Sequence, residues 1–400
     1  MIIVSALLWL LALALALPLA IFTVEVCAGL RRFAEASVAP VPCSIAILMP
    51  AHDEAPAIEA TLANLIAVAP AGCRIVVIAD NCSDDTAARA RAMGVIAIER
   101  HDTARRGKGY ALAFGKDFLA NDPPDVVIVL DADCRFQPQS IERLVGTAMR
   151  TGCPAQAFNT LDPDLTASPA VQISSFAMIV KNVVRSRGMA RLGGASLLTG
   201  TGMAFPWHVF RDASLATGNI VEDLALGIDL TRRGIYTRLV PGAWVRSASA
   251  HPADLLEQRS RWERGFLAEA RQSALPTVWD GVIRRSRASF FLGLHLLVPP
   301  LAMLISASLA GLGILALALV LNPGPGAGPA TAALAVALIG ALAATAAAWV
   351  REGRSTLSLS GLARAPGYVL WKLPMYFGFA GSVPTEWVRT RRRTVDRKAP

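Results

Sequence analysis

Hydrophobic and polar positions divide the chain into two kinds of sequence. Three stretches carry no Lys, Arg, Asp or Glu and suit helices that cross a hydrocarbon core of roughly 30 Å: Ile2 to Val24, Ala288 to Leu321 and Ala330 to Val350. From about Cys43 to about Thr277, short apolar runs ending at acidic residues alternate with helical patterns. The pattern therefore predicts a folded domain flanked by membrane helices.

Basic residues set the expected orientation of those helices. Arg31 and Arg32 follow the first apolar stretch, and Arg351 and Arg354 follow the third. By the positive-inside rule, the N-terminus lies outside and the domain lies in the cytoplasm. A cleaved signal peptide is the alternative for the first stretch, but no Lys or Arg precedes it.

The folded domain reads as alternating strands and helices. We expect strands at 44–50, 74–80, 95–100 and 126–130, separated by helices at 51–68, 81–93 and 109–119. Strands that alternate with helices of this length predict a doubly wound, mostly parallel sheet of α/β class, an architecture that binds nucleotides.

These patterns predict four regions in chain order. They are an N-terminal transmembrane helix at 1–26, a cytosolic domain at 40–285, two transmembrane helices at 288–350, and an interfacial amphipathic helix with a basic tail at 361–400. Residues 321–330 predict a short external turn between the last two crossings. Residues 367–381 are the interfacial helix, and a fourth crossing there is the alternative.

Composition narrows the class further. With 54% hydrophobic residues, the chain is too apolar for an ordinary soluble domain. The net charge of +9 lies largely beside the apolar stretches and in the tail, which favours contact with anionic lipid over nucleic acid. Six cysteines without C-x-x-C spacing indicate reduced thiols in a cytosolic domain.

The stretch VVIVLDADC, Val126 to Cys134, is the centre of the candidate chemistry. Five apolar residues run directly into Asp131, Ala132 and Asp133. Ligands of open α/β sheets bind beyond the carboxyl ends of strands, and carboxylates at i and i+2 can share one hard cation. The stretch therefore predicts a metal and sugar-nucleotide site, with an acidic strand cap as the alternative.

Other motifs supply matching polar groups in chain order. Acids follow the first two strands, a glycine-flanked lysine lies in RRGKG, the small-residue stretch TGTG spans 199–202, and an acidic pair opens a helix in VED. A carboxylate beside an acceptor hydroxyl can act as general base, although acids also cap helices. In QRSRW, an amide, a guanidinium and an indole share one helix face, which suits a diphosphate and a sugar ring.

These motifs, PAHDE, IADNCSDDT, RRGKG, DAD, TGTG, VED and QRSRW, resemble those of inverting family 2 glycosyltransferases in order and approximate spacing. The resemblance is to the membrane-bound branch that includes cellulose, chitin and hyaluronan synthases and ceramide glucosyltransferase-like enzymes. It covers roughly residues 43–270 and implies a GT-A fold. Two departures are Val221, where relatives often have Thr, and Asn81, where many have a second Asp.

The resemblance also implies roles for single residues. Asp223 would be the catalytic base, and Asp131 with Asp133 would hold Mg²⁺ or Mn²⁺. Donor binding would fall to Asp53, Glu54, Asp80, Lys108 and Asp131, and contacts with pyrophosphate and acceptor to Glu222, Gln258, Arg261 and Trp262.

The expected activity is transfer of a sugar, from a nucleotide-sugar such as a UDP-sugar, to a lipid-linked or glycan acceptor with a β linkage. We expect it in exopolysaccharide or glycolipid biosynthesis at a bacterial inner membrane, with membrane lipid and either envelope-biosynthesis proteins or a second copy as partners. A processive polysaccharide synthase is the alternative, and a nucleotidyltransferase or a non-catalytic membrane scaffold are more distant ones. The sequence leaves sugar, acceptor and linkage position open.

Overall fold

The computed structural model describes residues 2–35, 38, 42–219, 221–249, 251, 254–321 and 326–377. Its internal contacts divide these residues into two units. A sheet unit comprises the described residues of 33–162 and 194–269, and a helical unit comprises those of 2–32, 163–193 and 270–377.

The sheet unit contains a mixed sheet of eight strands within the described residues. In chain order the strands are β1 Ile45–Ala51, β2 Arg74–Asp80, β3 Ile96–Arg100, β4 Val126–Val129, β5 Cys134–Phe136, β6 Ala155–Leu161, β7 Met203–Pro206 and β8 Arg238–Ser247. Their spatial order is β3-β2-β1-β4-β7-β6-β8-β5. The first four strands are parallel, whereas β7 runs antiparallel to both β4 and β6.

The helices, again in chain order, are α1 Ile2–Gly29, α2 Ile58–Val68, α3 Thr86–Ala92, α4 Lys108–Leu119, α5 Ser140–Thr151, α6 Pro169–Ile179, α7 Ser186–Leu192, α8 Trp207–Arg211, α9 Glu222–Arg232, α10 Leu255–Ile283, α11 Arg287–Leu296, α12 Leu301–Leu321, α13 Ala327–Ala348, α14 Leu359–Ala363 and α15 Ala365–Phe377. The described residues also contain two π-helical stretches. Val180–Arg185 joins α6 to α7, and Trp349–Gly353 follows α13.

Burial on both faces of the sheet explains the uninterrupted apolar strands. Along β1, Ile47 and Met49 belong to one apolar core with α2 and α5, while Ala46 and Leu48 belong to another with α4 and α9. Since side chains alternate between the two faces of a strand, both sets must be apolar. The sheet is therefore wound on both sides, as the sequence predicts, and its polar strand ends are left for chemistry.

The helical unit contains the helices of membrane length. Within the described part of the chain, Ile2–Gly29, Leu301–Leu321 and Ala327–Gly353 are long and apolar enough to cross a membrane. The expected crossings are thus present as helices. Pro299 and Pro300 divide the second stretch into α11 and α12, because proline removes a backbone donor and disfavours a helical residue before it.

Two glycines show how closely backbones approach inside the helical unit. A Cβ on Gly29 would lie 1.8 Å from the carbonyl oxygen of Val184, and one on Gly188 would lie 1.9 Å from that of Glu25. Only glycine fits at such contacts. The C-terminal end of α1 therefore packs directly on the segment that contains α7.

Several sequence predictions meet the structure only in part. The helix expected near 367–381 is described to Phe377 as α15, and residues 378–381 lie outside the described part, as do 322–325 of the expected external turn. The bounds 40–285 remain a prediction, and the contacts group residues 163–193 and 270–285 with the helical unit.

Candidate functional site

The centre of the candidate site is a contact between the start of α4 and the end of β4. Lys108 is the first residue of α4, and its Nζ lies 2.5 Å from Oδ1 of Asp131. The same ammonium donates a hydrogen bond to the carbonyl oxygen of Gly200 at 2.6 Å. Lys108 therefore ties the acidic strand end to the TGTG loop at 199–202.

This loop also holds the backbone of the strand end. The Asp131 amide donates to Oγ1 of Thr201 at 3.1 Å, and the Gly202 amide donates to the carbonyl of Val129 at 2.9 Å. Gly200 and Gly202 have φ angles of +81° and +63°, which side-chain-bearing residues rarely adopt. Glycine is thus favoured at both positions by the backbone conformation, and at Gly202 also because a Cβ would lie 2.6 Å from Cγ2 of Val245.

The acidic pair at the start of α9 completes the cluster. Oε1 of Glu222 lies 4.0 Å from Nζ of Lys108, and a Cβ on Gly200 would lie 3.3 Å from Oδ2 of Asp223. Burial raises the pKa of Glu222 to about 8 against the opposing charge of Lys108, and Asp223 adds to the rise. Burial lowers the pKa of Lys108, but Asp131 and Glu222 raise it more, so the ammonium stays protonated.

The donor set at the end of β4 fits a hard divalent cation. Asp131, Asp133 and Cys134 each offer one ligand atom, and these atoms lie within 4.8 Å of one another. Oxygen ligands suit Mg²⁺ and Mn²⁺, whereas the Cys134 thiol belongs to buried strand β5 and donates to Oδ1 of Asp133 at 3.3 Å. The two aspartates therefore fit as cation ligands.

The ends of β1 and β2 form a second polar group. Asp53 has a φ of +51°, and its Oδ1 accepts from the amide of Ser83 at 2.7 Å and from that of Asp84 at 3.3 Å. The Glu54 amide donates to Oγ1 of Thr86 at 2.8 Å. These bonds fasten the loop after β1 to the loop after β2.

Asp80, the last residue of β2, forms a buried ion pair. It is 1% exposed, and its Oδ1 accepts from Nη1 of Arg100 at 2.6 Å. Its other oxygen, Oδ2, is buried without a hydrogen-bond partner among the described residues. A buried acceptor without a hydrogen-bond donor costs free energy, so this oxygen fits a site where a donor group of a ligand bonds to it.

The QRSRW motif, residues 258–262, lies on α10, which contacts the start of α9 three residues after the motif. A Cβ on Gly265 would come within 2.7 Å of Cγ1 of Val221, the residue before Glu222. Gln258 is buried, Arg261 and Trp262 are half-buried, and the Arg259 guanidinium stacks 5.0 Å from the centre of the Trp262 ring. Helix α10 is thus packed against the start of α9.

The structure brings some of the expected residues into direct proximity and others into a neighbouring group. Asp131, Lys108, Glu222 and Asp223 converge around the TGTG loop, whereas Asp53 contacts the loop after β2 and Asp80 pairs with Arg100 at the end of β3. Sequence analysis missed Arg100, although it pairs with Asp80 in the register of β2 and β3. Opposite charges at the carboxyl ends of adjacent predicted strands were the available signal.

Comparison with known families gives a match over the same part of the chain. Residues 42–265 match the family described as glycosyltransferase like family 2. No curated protein matches the chain.

Solved structures resemble the chain at low sequence identity. A mannosyltransferase from Pyrobaculum calidifontis, in complex with GDP-Man and Mn²⁺, is 17% identical with a TM-score of 0.52, covering 84% of this chain and 98% of that chain. Glucosyl-3-phosphoglycerate synthase from Mycobacterium tuberculosis, in complex with Mn²⁺, UDP and glucosyl-3-phosphoglycerate, is 21% identical with a TM-score of 0.38, covering 57% and 80%. The first similarity is one of fold.

Proposed function

The chain belongs to glycosyltransferase family 2, and on that premise we propose that it transfers one sugar, with inversion, from a nucleoside-diphosphate sugar to a lipid-linked acceptor. The product has a β linkage when the donor is α-linked. The catalytic domain faces the cytosol at a bacterial inner membrane, and the reaction belongs to exopolysaccharide or glycolipid assembly.

One observation carries the proposal: several carboxyl groups surround the ammonium group of a single lysine, Lys108. Asp131, Glu222 and Asp223 gather about the single ammonium of Lys108, and Asp133 lies next to Asp131 in the same ligand group. The raised pKa of Glu222 keeps it protonated near neutral pH, but Asp131, Asp133 and Asp223 still exceed the one positive charge of Lys108, and such an excess of acids favours binding of a divalent cation with its anionic ligand. Asp131 and Asp133 would hold Mg²⁺ or Mn²⁺, which when bound supplies positive charge that stabilises the leaving diphosphate.

The side chains of the chain perform the remaining steps. Asp223 accepts the proton of the acceptor hydroxyl as its oxygen forms a bond to the anomeric carbon. The bond from that carbon to the diphosphate breaks on the opposite face, and the electron pair leaves with the nucleoside diphosphate. Lys108 donates to the donor phosphates and so offsets the charge that grows on them.

The other motif residues bind and orient substrates. The free oxygen of Asp80 accepts from a donor group of the nucleoside, and the loop of Asp53 and Glu54 closes over it. On α10, Gln258, Arg261 and Trp262 contact pyrophosphate and acceptor, together with Glu222, which lies 4.0 Å from Lys108. These roles are supported by the packing of α10 on α9 and by the orphaned Asp80 oxygen.

A lipid-linked acceptor is supported by the helical unit. Three helices in the described residues have membrane length, and the last two of the three follow the sheet unit in the chain. An acceptor that resides in the membrane would be available to an enzyme held at its surface. Three helices of membrane length would form only a small part of the wall of a polymer channel, which favours addition of one sugar.

The test is a donor screen on the purified full chain in detergent or nanodiscs. UDP- and GDP-sugars are supplied singly with Mn²⁺ or Mg²⁺ and membrane lipid extract, and nucleotide release and product masses are measured. We expect cation-dependent release with one donor and a lipid product heavier by one sugar. A ladder of masses would replace this proposal by a processive synthase, and absence of release with every donor, from folded protein, would overturn it.

The matched control is Asp223→Asn, prepared in the same way. Loss of transfer in this variant, with donor affinity unchanged, separates catalysis by this chain from a contaminating enzyme.

A further inference from the structure

A buried glutamine on β6 forms hydrogen bonds to the TGTG loop, which Lys108 also contacts. Gln156 is 2% exposed, and its Oε1 accepts from the backbone amide of Thr199 at 3.0 Å. Its Nε2 lies 2.9 Å from the carbonyl oxygen of Thr201 and 3.3 Å from that of Gly202. One side chain thus bonds to three of the four residues at 199–202.

The same loop also bonds to residues of the candidate site. The carbonyl of Gly200 accepts from Lys108, and the hydroxyl of Thr201 accepts from the amide of Asp131. Residues 199–202 are the last four of the connection between α7 and β7, and two of them have positive φ angles, so their conformation depends on the groups that bond to them. A shift of the loop would therefore move the partners of Lys108 and Asp131 together.

We propose that Gln156 is a positioning residue for the transfer reaction: by fixing the backbone of 199–202, it sets where Lys108 and Asp131 meet the donor. The inference rests on the proposed function for its chemistry. Gln156 touches the loop and not the reacting atoms, so it acts through Lys108 and Asp131.

The amide is the side chain that this position requires. It donates to carbonyl oxygens and accepts from an amide at once, whereas an ionised glutamate of the same size only accepts, and leucine does neither. The strand ladder also shifts register between Gln156 and Phe158. Such irregularities re-aim side chains, which is consistent with a strand adapted to reach the loop.

The chain offers a matched control in Gln172. It is 5% exposed, and its Nε2 donates to the carbonyls of Leu165 and Ala167 at 2.9 and 2.8 Å, while its Oε1 accepts from the amide of Ser358 at 3.0 Å. All these partners belong to the helical unit. Gln172→Leu therefore removes a buried amide of the same kind without touching the TGTG loop.

The first measurement compares the kinetics of Gln156→Leu, Gln156→Glu and Gln172→Leu at matched fractions of folded protein. For both Gln156 variants we expect kcat to fall about 10²-fold, because small misplacements of catalytic groups cost this much, while the donor KM changes less than about threefold. For Gln172→Leu we expect kcat to stay within about threefold of wild type. A kcat for Gln156→Glu equal to wild type would overturn the inference.

The second measurement needs no substrate. Hydrogen exchange of peptides that cover residues 197–204 is followed in the full chain without donor, and we expect faster exchange in both Gln156 variants and no change in Gln172→Leu. Unchanged exchange in the Gln156 variants would show that this side chain does not hold the loop. Faster exchange with unchanged kcat would show that the loop does not position the reaction.

The two measurements separate the inference from the proposed function. If wild type transfers no sugar from any donor, the proposed function fails, while exchange at 197–204 still decides whether Gln156 fixes the loop. If wild type is active, the kinetic comparison decides whether that fixation matters for transfer.

Discussion

Two buried charge clusters, one in each unit, differ in their balance of charge. In the helical unit, Glu25 is 2% exposed, its Oε2 pairs with Nε of Arg185 at 2.7 Å, and its Oε1 lies 2.9 Å from Nδ1 of His295. Both carboxylate oxygens are thus engaged by basic groups inside the protein. We call this cluster closed because both oxygens of its carboxylate are paired inside the protein, and it ties α1 to the segments that carry Arg185 and His295.

The cluster in the sheet unit has the opposite balance. Three carboxylates surround Lys108, and the side chain of Asp131 keeps 35% of its surface exposed. Burial raises the pKa of Glu222 to about 8 against the opposing charge of Lys108, and the neighbouring Asp223 and Asp131 add to the rise. The comparison indicates that charge-balanced clusters hold the fold together, whereas an open, acid-rich cluster is suited to bind a cation and substrate.

Removing a proposed cation ligand should produce the largest effect on activity. For Asp131→Asn we expect transfer to fall on the order of 10³-fold at saturating donor, equivalent to about 4 kcal/mol of transition-state stabilisation, because a charged ligand of the cation is lost. Initial rates against Mn²⁺ concentration measure this. The control is Asp125→Asn, which should keep near wild-type rates. Asp125 is an exposed acid immediately before the first residue of β4. Equal losses in both variants would contradict a specific role for Asp131.

Breaking the closed cluster should affect stability instead of catalysis. Glu25→Leu leaves Arg185 buried without its carboxylate, and we expect a loss of about 3 kcal/mol in the free energy of unfolding. The double variant Glu25→Leu/Arg185→Met should recover part of this loss, since both charges are then absent. Thermal unfolding in detergent measures the stability of each variant. A large fall in kcat per folded molecule would show that the cluster is not purely structural.

Removing the proposed base should give the next effect. For Asp223→Asn we expect kcat to fall about 10²-fold, or about 2.7 kcal/mol, because the amide cannot accept the acceptor proton. Donor affinity, measured by calorimetry with UDP or GDP and Mn²⁺, should remain unchanged. Asp229→Asn, an exposed acid on the same helix, is the control. A matching loss of donor affinity in Asp223→Asn would contradict the assignment of Asp223 as the catalytic base.

The raised pKa of Glu222 predicts a pH-dependent effect on stability, the smallest of the four. Between the ordinary pKa of about 4.5 and the folded value of about 8, the folded protein retains a proton that the unfolded chain releases, so ionisation increasingly penalises the folded state as pH rises. Glu222→Gln removes this penalty. We expect it to be more stable than wild type on the order of 1 kcal/mol at pH 8.5, with little difference at pH 4.5. An equal difference in melting temperature at both pH values would contradict the raised pKa.

Much of the sheet could be predicted because its strands are encoded locally. Uninterrupted apolar runs identify β1, β2 and β4, and acids at their ends mark the polar edge of the sheet. The membrane-length helices follow from length and lack of charge alone. These features need only neighbours in sequence, which is why the motifs and the helices of membrane length could be found together.

Contacts that join distant residues could not be predicted in the same way. Gln156 bonds to a loop about 45 residues away, and Arg185 pairs with Glu25, which lies 160 residues earlier. Neither residue has a local pattern that marks it, because an isolated glutamine or arginine is most often on the surface. The grouping of 163–193 with the helical unit likewise depends on close backbone contacts such as that of Gly188.

The sequence by itself determined strands β1 to β4, the membrane-length helices and the set of polar groups available at the sheet edge, because the apolar runs and the acids that follow them are neighbours in sequence. Only the tertiary structure decided which of these groups meet. It joined Lys108 to Asp131, paired Asp80 with Arg100 and placed Gln156 within hydrogen-bond distance of the TGTG loop. The physical reason is that hydrogen bonds and ion pairs form between atoms brought together by packing, and packing is a property of the whole chain.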